Sequence, residues 1–208
     1  MKDLIIRNIN EKDYYDVEYL TKRAFWNINM PGCDEHYFVH RIWSDEAYIP
    51  EISFLAELNG EIVGAILYTK SRVETEKGNI DTLTFGPLCV EPKLQREGIG
   101  GLLLKTSMDK AIECGHKAIF ICGVPEYYPR HGFVTADKFG VSMPDGSNFD
   151  AFMGIELEEG SLKDVKGRFY EADVCICDIH DEAYMKEVEA FDKNFPYMEK
   201  LILPGQWR

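Results

Sequence analysis

Apolar and polar residues alternate along this chain in patterns that change period several times. Leu4-Ile5-Ile6-Arg7 reads as a first strand. Tyr15, Val17, Tyr19, Leu20 and Ala24 recur at helical spacing behind Asn10 or Asp13 as a cap, which predicts a helix through about Phe25 and Trp26. Asn29-Met30-Pro31-Gly32-Cys33 breaks it, and a second helix is predicted from Asp34 to about Trp43. Ile52–Leu58 and Ile62–Val73 read as two strands joined at Asn59-Gly60, the strongest hairpin signal in the chain. Asn79 opens a further strand through Leu83 and Phe85 to Val90. Beyond it Ile99, Leu103, Leu104, Met108, Ala111 and Ile112 mark a helix that Gly115 ends. Lys117–Cys122 is a short buried strand, parallel to the one before the helix because a strand-helix-strand unit separates them. Pro125-Glu126-Tyr127-Tyr128 predicts a short helix with Pro in its first turn. Gly132-Phe133 leads into another strand, Pro144–Asn148 is a turn, and Phe152–Leu157 is a strand. In the tail, Phe169–Cys177 is partly apolar and Asp181–Phe191 is an amphipathic helix.

The chemistry concentrates between Thr84 and Lys105. There a strand, a polar turn with Pro92, and then Gln95, Arg96, Gly98, Gly100 and Gly101 run directly into a helix start. Each glycine in a helix costs about 1 kcal/mol relative to Ala, so three within four positions imply a backbone that something approaches closely. Unpaired N–H groups and the positive end of the helix dipole converge at such a point, which makes it an anion site, most naturally for a phosphate or pyrophosphate. A tight turn is the plainer reading of the glycines alone. Two nucleotide motifs fail here: Leu102 stands where a P-loop needs Lys, and Leu103 where the dinucleotide fingerprint needs a small residue.

Composition narrows the field. With 208 residues, 45% hydrophobic and 28% charged, the chain has the balance of a globular protein. Its net charge of −13 argues against nucleic acid as a partner and suits a cationic substrate, although acidity alone often serves solubility. No apolar run reaches a membrane span, and Met1-Lys2-Asp3 does not begin like a signal peptide. Six cysteines without a Cys-x-x-Cys pair read as reduced core thiols, so a cytoplasmic location is expected. His36 and His40 lie four apart on a predicted helix, but no third ligand is evident, and no metal is expected.

Gln95-Arg96-Glu97-Gly98-Ile99-Gly100 matches the pattern Gln/Arg-x-x-Gly-x-Gly/Ala. With the preceding strand it resembles the acyl-CoA-binding motif of the GNAT superfamily of N-acyltransferases. Downstream, Tyr127-Tyr128-Pro129-Arg130-His131-Gly132-Phe133 resembles that family's Phe-Tyr-x-x-x-Gly-Phe segment, in the right order and at the right separation. The Pro-Glu-Tyr-Tyr-x-Arg-x-Gly-Phe wording is similar to that of a bacterial group of acetyltransferases. The resemblance covers roughly residues 3–158 and implies an α/β (α+β) fold: a central mixed, mostly antiparallel sheet with two splayed parallel strands, flanked by helices.

It also implies acetyl-CoA as cosubstrate and an amine of a small molecule or peptide as acceptor, joined by direct attack in a ternary complex. By the same analogy Gln95, Arg96, Glu97, Gly98, Ile99, Gly100 and Gly101 bind the cosubstrate. Leu88, Cys89 and Val90 line one edge of the pantetheine slot and Gly123 with Val124 lies near the other. The backbone N–H of Val90 polarises the thioester carbonyl, Tyr128 is the general acid, and Arg130 either meets a CoA phosphate or is solvated. Tyr127, where the family carries Phe, reads as packing. The sequence departs from the family at the base: Thr84 stands where many relatives carry glutamate, leaving Asp81, Glu57, Glu91, Glu126 or a water relay. A non-catalytic acyl-CoA sensor is the alternative that an intact loop without a base allows. Residues 159–208, with Phe169, Val174, Ile176, Phe191, Phe195 and Trp207, carry too many large apolar groups for a solvated linker. They are expected to pack on the domain or on a second subunit of a homodimer.

Overall fold

The computed structural model describes residues 3–206, so Trp207 and the Met1-Lys2 start lie outside the described residues. The chain runs β1 (Leu4–Asn8), α1 (Tyr14–Phe25), α2 (Glu35–Ile42), β2 (Phe54–Leu58), β3 (Glu61–Thr75), β4 (Gly78–Val90), α3 (Ile99–Glu113) and β5 (Ala118–Cys122). It continues through β6 (Val134–Thr135), β7 (Val141–Ser142), β8 (Phe152–Glu156), β9 (Gly167–Glu171) and α4 (Glu182–Asp192). One nine-stranded sheet holds them in the order β1-β2-β3-β4-β5-β8-β6. All the pairs along that path are antiparallel except β4–β5.

β3 is long enough to serve two neighbours on one edge. Its first half pairs with β2, and its far end, Ser71–Thr75, pairs with β9. β9 in turn pairs with β7 in parallel. The C-terminal segment therefore completes the sheet.

Side chains alternate between the two faces of the sheet. One face packs Ile66, Tyr68, Leu83, Phe85, Ile119, Ile121 and Met153 against Ile99, Leu103, Leu104 and Ala111 of α3. The other sets Leu55, Ala65, Leu67 and Cys89 against Val17 and Leu20 of α1 and Val39 and Ile42 of α2. Val73, Ala118, Phe120, Phe152 and Phe169 fill a third cluster under the tail.

α4 docks on α2, where Tyr184 donates to Asp34 Oδ2 at 2.9 Å and Tyr37 donates to Glu187 Oε2 at 2.8 Å. The fully buried Lys22 of α1 meets Asp192 Oδ1 at 2.7 Å and donates to the Pro196 carbonyl at 3.0 Å. The two histidines of α2 turn apart. His36 sits between Cys33 and Asp192, whereas the half-exposed His40 faces Glu18.

The short helix expected at Pro125 begins three residues later. A 3-10 turn spans Tyr128–His131 with Pro129 in its first turn, because Tyr127 and Tyr128 return their N–H groups to Val124.

Candidate functional site

β4 and β5 share only one register pair, Leu83 with Ile119, and diverge beyond it. The β3–β4 register shifts between Ile66 and Tyr68, so two residues of β4, Gly86 and Pro87, oppose one of β3. Beyond this bulge, the Glu91 N–H bonds the Val63 carbonyl at 2.9 Å. Antiparallel ladders alternate, so Cys89, paired with Ala65, directs its backbone groups to β3, while Leu88 and Val90 direct theirs toward the gap beside β5. The Val90 carbonyl is taken by Gln95 Nε2 at 3.3 Å, which pins the turn leading to the glycines.

That turn places Arg96 at φ 68° and Gly98 at φ 88°, both left-handed. Gly98 caps α3, whose first intrahelical bond runs from the Leu102 N–H to the Gly98 carbonyl. The N–H groups of Ile99, Gly100 and Gly101 are thus free of helical partners and point outward at the positive end of the dipole.

Over this cradle lies a cleft of about 630 Å³ lined by Leu88, Val90, Gln95, Arg96, Gly98, Gly100, Gly101, Val124, Tyr127, Tyr128, Arg130 and His131. The glycines keep it open. A Cβ on Gly100 would stand 3.2 Å from the Tyr127 hydroxyl, and one on Gly101 would stand 3.3 Å from His131 Cε1.

Ten of the residues expected at the site line the cleft: Leu88, Val90, Gln95, Arg96, Gly98, Gly100, Gly101, Val124, Tyr128 and Arg130. Four others do not. Cys89 is buried on the opposite face against Thr21, Ile99 is buried under α3, and Glu97 is exposed. Gly123 spends its N–H on the Ala151 carbonyl, and its missing side chain makes room for the Tyr128 ring: a Cβ there would lie 2.3 Å from Tyr128 Cε2.

Tyr127 and His131 are cleft walls that sequence reasoning left without a site role. The one signal for them is that a four-residue step places both beside the helix start. Their rings lie 4.9 Å apart. His131 Nε2 is buried without a hydrogen-bond partner, and burial with the nearby Arg130 charge lowers the imidazole pKa and keeps it neutral. Arg130 is fixed by donating to the Tyr127 and Glu126 carbonyls at 3.0 and 3.1 Å, with its guanidinium over the Tyr127 ring.

Tyr128 packs among Phe85, Phe133 and Tyr127. Burial raises its phenol well above the ordinary value. Of the four base candidates, Glu57 is held by Arg7 and Glu91 by Arg23, at 3.0 and 2.9 Å. Asp81 lies opposite Arg72 on an exposed strand position, and Glu126 is exposed. None of the four lines the cleft.

Three free helix amides, Arg96, Arg130 and an unpartnered imidazole converge on one end of the cleft. An apolar slot between diverging strands extends from them. These features fit an elongated ligand with a multiply charged anionic head. They sit in a mixed sheet whose parallel β4–β5 pair diverges, an α/β architecture.

Comparison with known proteins identifies the family. The profile of the acetyltransferase (GNAT) family matches residues 13–135, and the chain belongs to this family. It is 34% identical over 127 residues to the uncharacterized N-acetyltransferase YjhQ of Escherichia coli, a match covering 60% of this chain and 66% of that protein. It is 29% identical over 178 residues to the probable hydrolase YhcX of Bacillus subtilis, covering 76% of this chain and 34% of that one. The chain thus spans about two thirds and one third of these curated relatives.

In fold it is similar to the GNAT family N-acetyltransferase YhbS from E. coli, solved in complex with CoA. The TM-score is 0.73 at 20% identity, over 83% of this chain and 91% of that one. A GNAT family acetyltransferase from Brucella melitensis, in complex with acetyl-CoA, superposes with a TM-score of 0.68 at 20% identity, over 84% and 99% of the two chains. Among the described residues no helix is long and apolar enough to cross a membrane, and no group of three metal-ligating side chains gathers.

Proposed function

We propose that this protein transfers the acetyl group of acetyl-CoA to a primary amine of a small molecule or peptide. The observation that carries the reading is the conjunction in one cleft of the α3 amide cradle, the β4–β5 gap and the Tyr128 phenol.

The pyrophosphate of acetyl-CoA sits on the N–H groups of Ile99–Gly101, where charge and unsatisfied donors coincide. Arg96, Arg130 and His131 supply further donors. The pantetheine arm lies in the gap and pairs with the backbone that Leu88 and Val90 turn toward β5. There the Val90 N–H reaches the thioester oxygen, and it strengthens its bond as that oxygen becomes an alkoxide. The deprotonated amine attacks the carbonyl carbon, a C–N bond forms, and the C–S bond breaks. The departing thiolate takes the Tyr128 proton, and the products are the N-acetyl amine and CoA. The burial that raises the Tyr128 phenol also destabilises a thiolate in the same cleft, which keeps the two close enough for transfer. The six thiols are all unpaired, which fits a cytoplasmic setting.

The test is a panel of primary amines (a diamine, an amino sugar, an amino-acid amide, a peptide N-terminus) incubated with acetyl-CoA and the full chain. Release of CoA dependent on one of them, with the acetylated amine identified by mass, is the expected result. Acetyl-CoA binding without turnover of any amine would leave only a binding role.

A further inference from the structure

His131 lines the cleft with a polar atom that has no partner. Its Cε1 would stand 3.3 Å, and its Nε2 4.0 Å, from a Cβ on Gly101, and Nε2 is buried without a hydrogen bond. The imidazole therefore lies against the first turn of α3, beside amides that have no helical partner. A neutral ring with its proton on Nδ1 suits that place. A lone pair on Nε2 can face the positive end of the dipole, whereas an N–H there is repelled by it.

The charges around the ring act in the same sense. On its own turn the neighbours that titrate or carry charge are Tyr127, with its ring 4.9 Å away, Tyr128 and Arg130. Glu126 precedes them and is exposed. The approach to α3 contributes Arg96 and the exposed Glu97, and the next helical turn contributes Lys105, which is paired with Asp109. β8 meets this segment with the uncharged Ile155, 3.1 Å from where a Cβ on Gly132 would stand. Among the described residues no carboxylate lines the cleft, and burial together with Arg130 holds the ring neutral. An anion on the helix amides reverses that field. It offsets Arg130 and the dipole, and it gives a protonated ring the negative partner that the protein does not supply.

We propose that His131 takes up a proton as the pyrophosphate of acetyl-CoA settles on the start of α3, so that affinity for the cosubstrate rises as pH falls. The inference rests on the acetyl-CoA reading above. The proton comes from solvent, adds to the ring nitrogen that lacked one and stays there while the ligand is bound. No bond of the ligand changes. Linkage gives the sign: the anion strengthens the ring's hold on its proton, so the extra binding is present wherever the bound ring is protonated. It is lost as pH rises past that range, and it levels off once the ring of the empty protein is protonated as well. By reciprocity, each tenfold gain in proton affinity caused by the ligand is a tenfold gain in ligand affinity at low pH.

The experiment titrates acetyl-CoA calorimetrically into wild type and His131→Gln, between about pH 6 and pH 8, where imidazoles titrate. At each pH two buffers of different ionisation enthalpy are used, so that the heat reports the protons taken up. The phosphates of acetyl-CoA titrate identically in both series, and the difference between the proteins belongs to His131. Wild type should take up more protons than His131→Gln near neutrality. Its affinity should gain about tenfold more than the variant's between the two ends of the range. Equal proton uptake and parallel pH dependence in the two proteins would overturn the proposal and leave the acetyl-CoA site standing. A wild type that does not bind acetyl-CoA would overturn both. Should the variant melt early, ring-labelled histidine NMR on wild type decides. One of the five imidazoles must move its titration midpoint upward on saturation with acetyl-CoA, and five unmoved midpoints would overturn the proposal.

Discussion

Replacing Tyr128 by Phe removes one oxygen and one proton and leaves the ring where it is. The contacts that fix that ring, to Phe85, Phe133 and the bare Cα of Gly123, are all made by carbon. The phenolic oxygen has no hydrogen-bond partner among the described residues, and burial is the main influence on it. A hydroxyl bonded in a core would cost about 1 kcal/mol on removal. This one should cost close to nothing, so the melting temperature stays put and any kinetic change belongs to the reaction. The proton is needed only as the thiolate leaves, so the loss falls on kcat and spares acetyl-CoA affinity. General acids contribute about 10²- to 10⁴-fold, or roughly 3–5 kcal/mol at 1.36 kcal/mol per decade. Steady-state kinetics, calorimetry with acetyl-CoA and a thermal melt on one preparation separate these effects. A kcat within about threefold of wild type at unchanged melting temperature would refute the acid role and return Tyr128 to the cleft wall.

Two further expectations concern the anchoring of the tail. Asp192→Ala leaves the Lys22 ammonium buried with only the Pro196 carbonyl, at 0% side-chain exposure. Breaking a buried pair from one side costs about 3–5 kcal/mol, and urea unfolding should show a loss near the lower end because Asp192 is itself partly exposed. A midpoint unchanged from wild type would show that the tail is not held there. His36, packed in the same cluster, has its pKa lowered mainly by burial, so the folded protein holds it neutral where the unfolded chain binds a proton. Stability contributed by the neutral form is present above the unfolded value of 6.5 and is lost as pH falls below it. Urea unfolding at pH 7 and pH 5 should therefore show a drop for wild type that is smaller in His36→Asn, and equal drops would remove His36 from the account.

The cleft's floor could be read from the chain because it is local. A strand end, a turn and a helix start are adjacent in sequence, and the glycines that mark them serve a close approach that composition cannot hide. Tyr128 was legible for the same reason, as part of a short segment. The walls were not. Tyr127 and His131 face the cradle only because the chain returns across it after β5, and nothing in their own neighbourhood sets that return. Gly123 carries a signal that points elsewhere: its lack of a side chain accommodates Tyr128, and its amide is already paired with Ala151. β9 was hardest to see. Its five residues, Gly167–Glu171, carry only Phe169 and Tyr170 as large apolar groups, between Arg168 and Glu171. Their pairing with Ser71–Thr75 joins segments about a hundred residues apart, a choice made by packing and not by local propensity.

The central claim, that the N-terminus of α3 holds the pyrophosphate of acetyl-CoA, is tested most directly by calorimetric titration of acetyl-CoA into wild type and Gly100→Asp. The substitution suits the fold, since an acidic residue in the first turn of a helix is favourable to its dipole and the space beside Gly100 needs only the Tyr127 hydroxyl to give slightly. It is hostile to the ligand, because it sets a carboxylate on the amides that the anion requires. The account predicts saturable binding to wild type and none measurable to Gly100→Asp at an unchanged melting temperature. Equal affinity in the two proteins would contradict it.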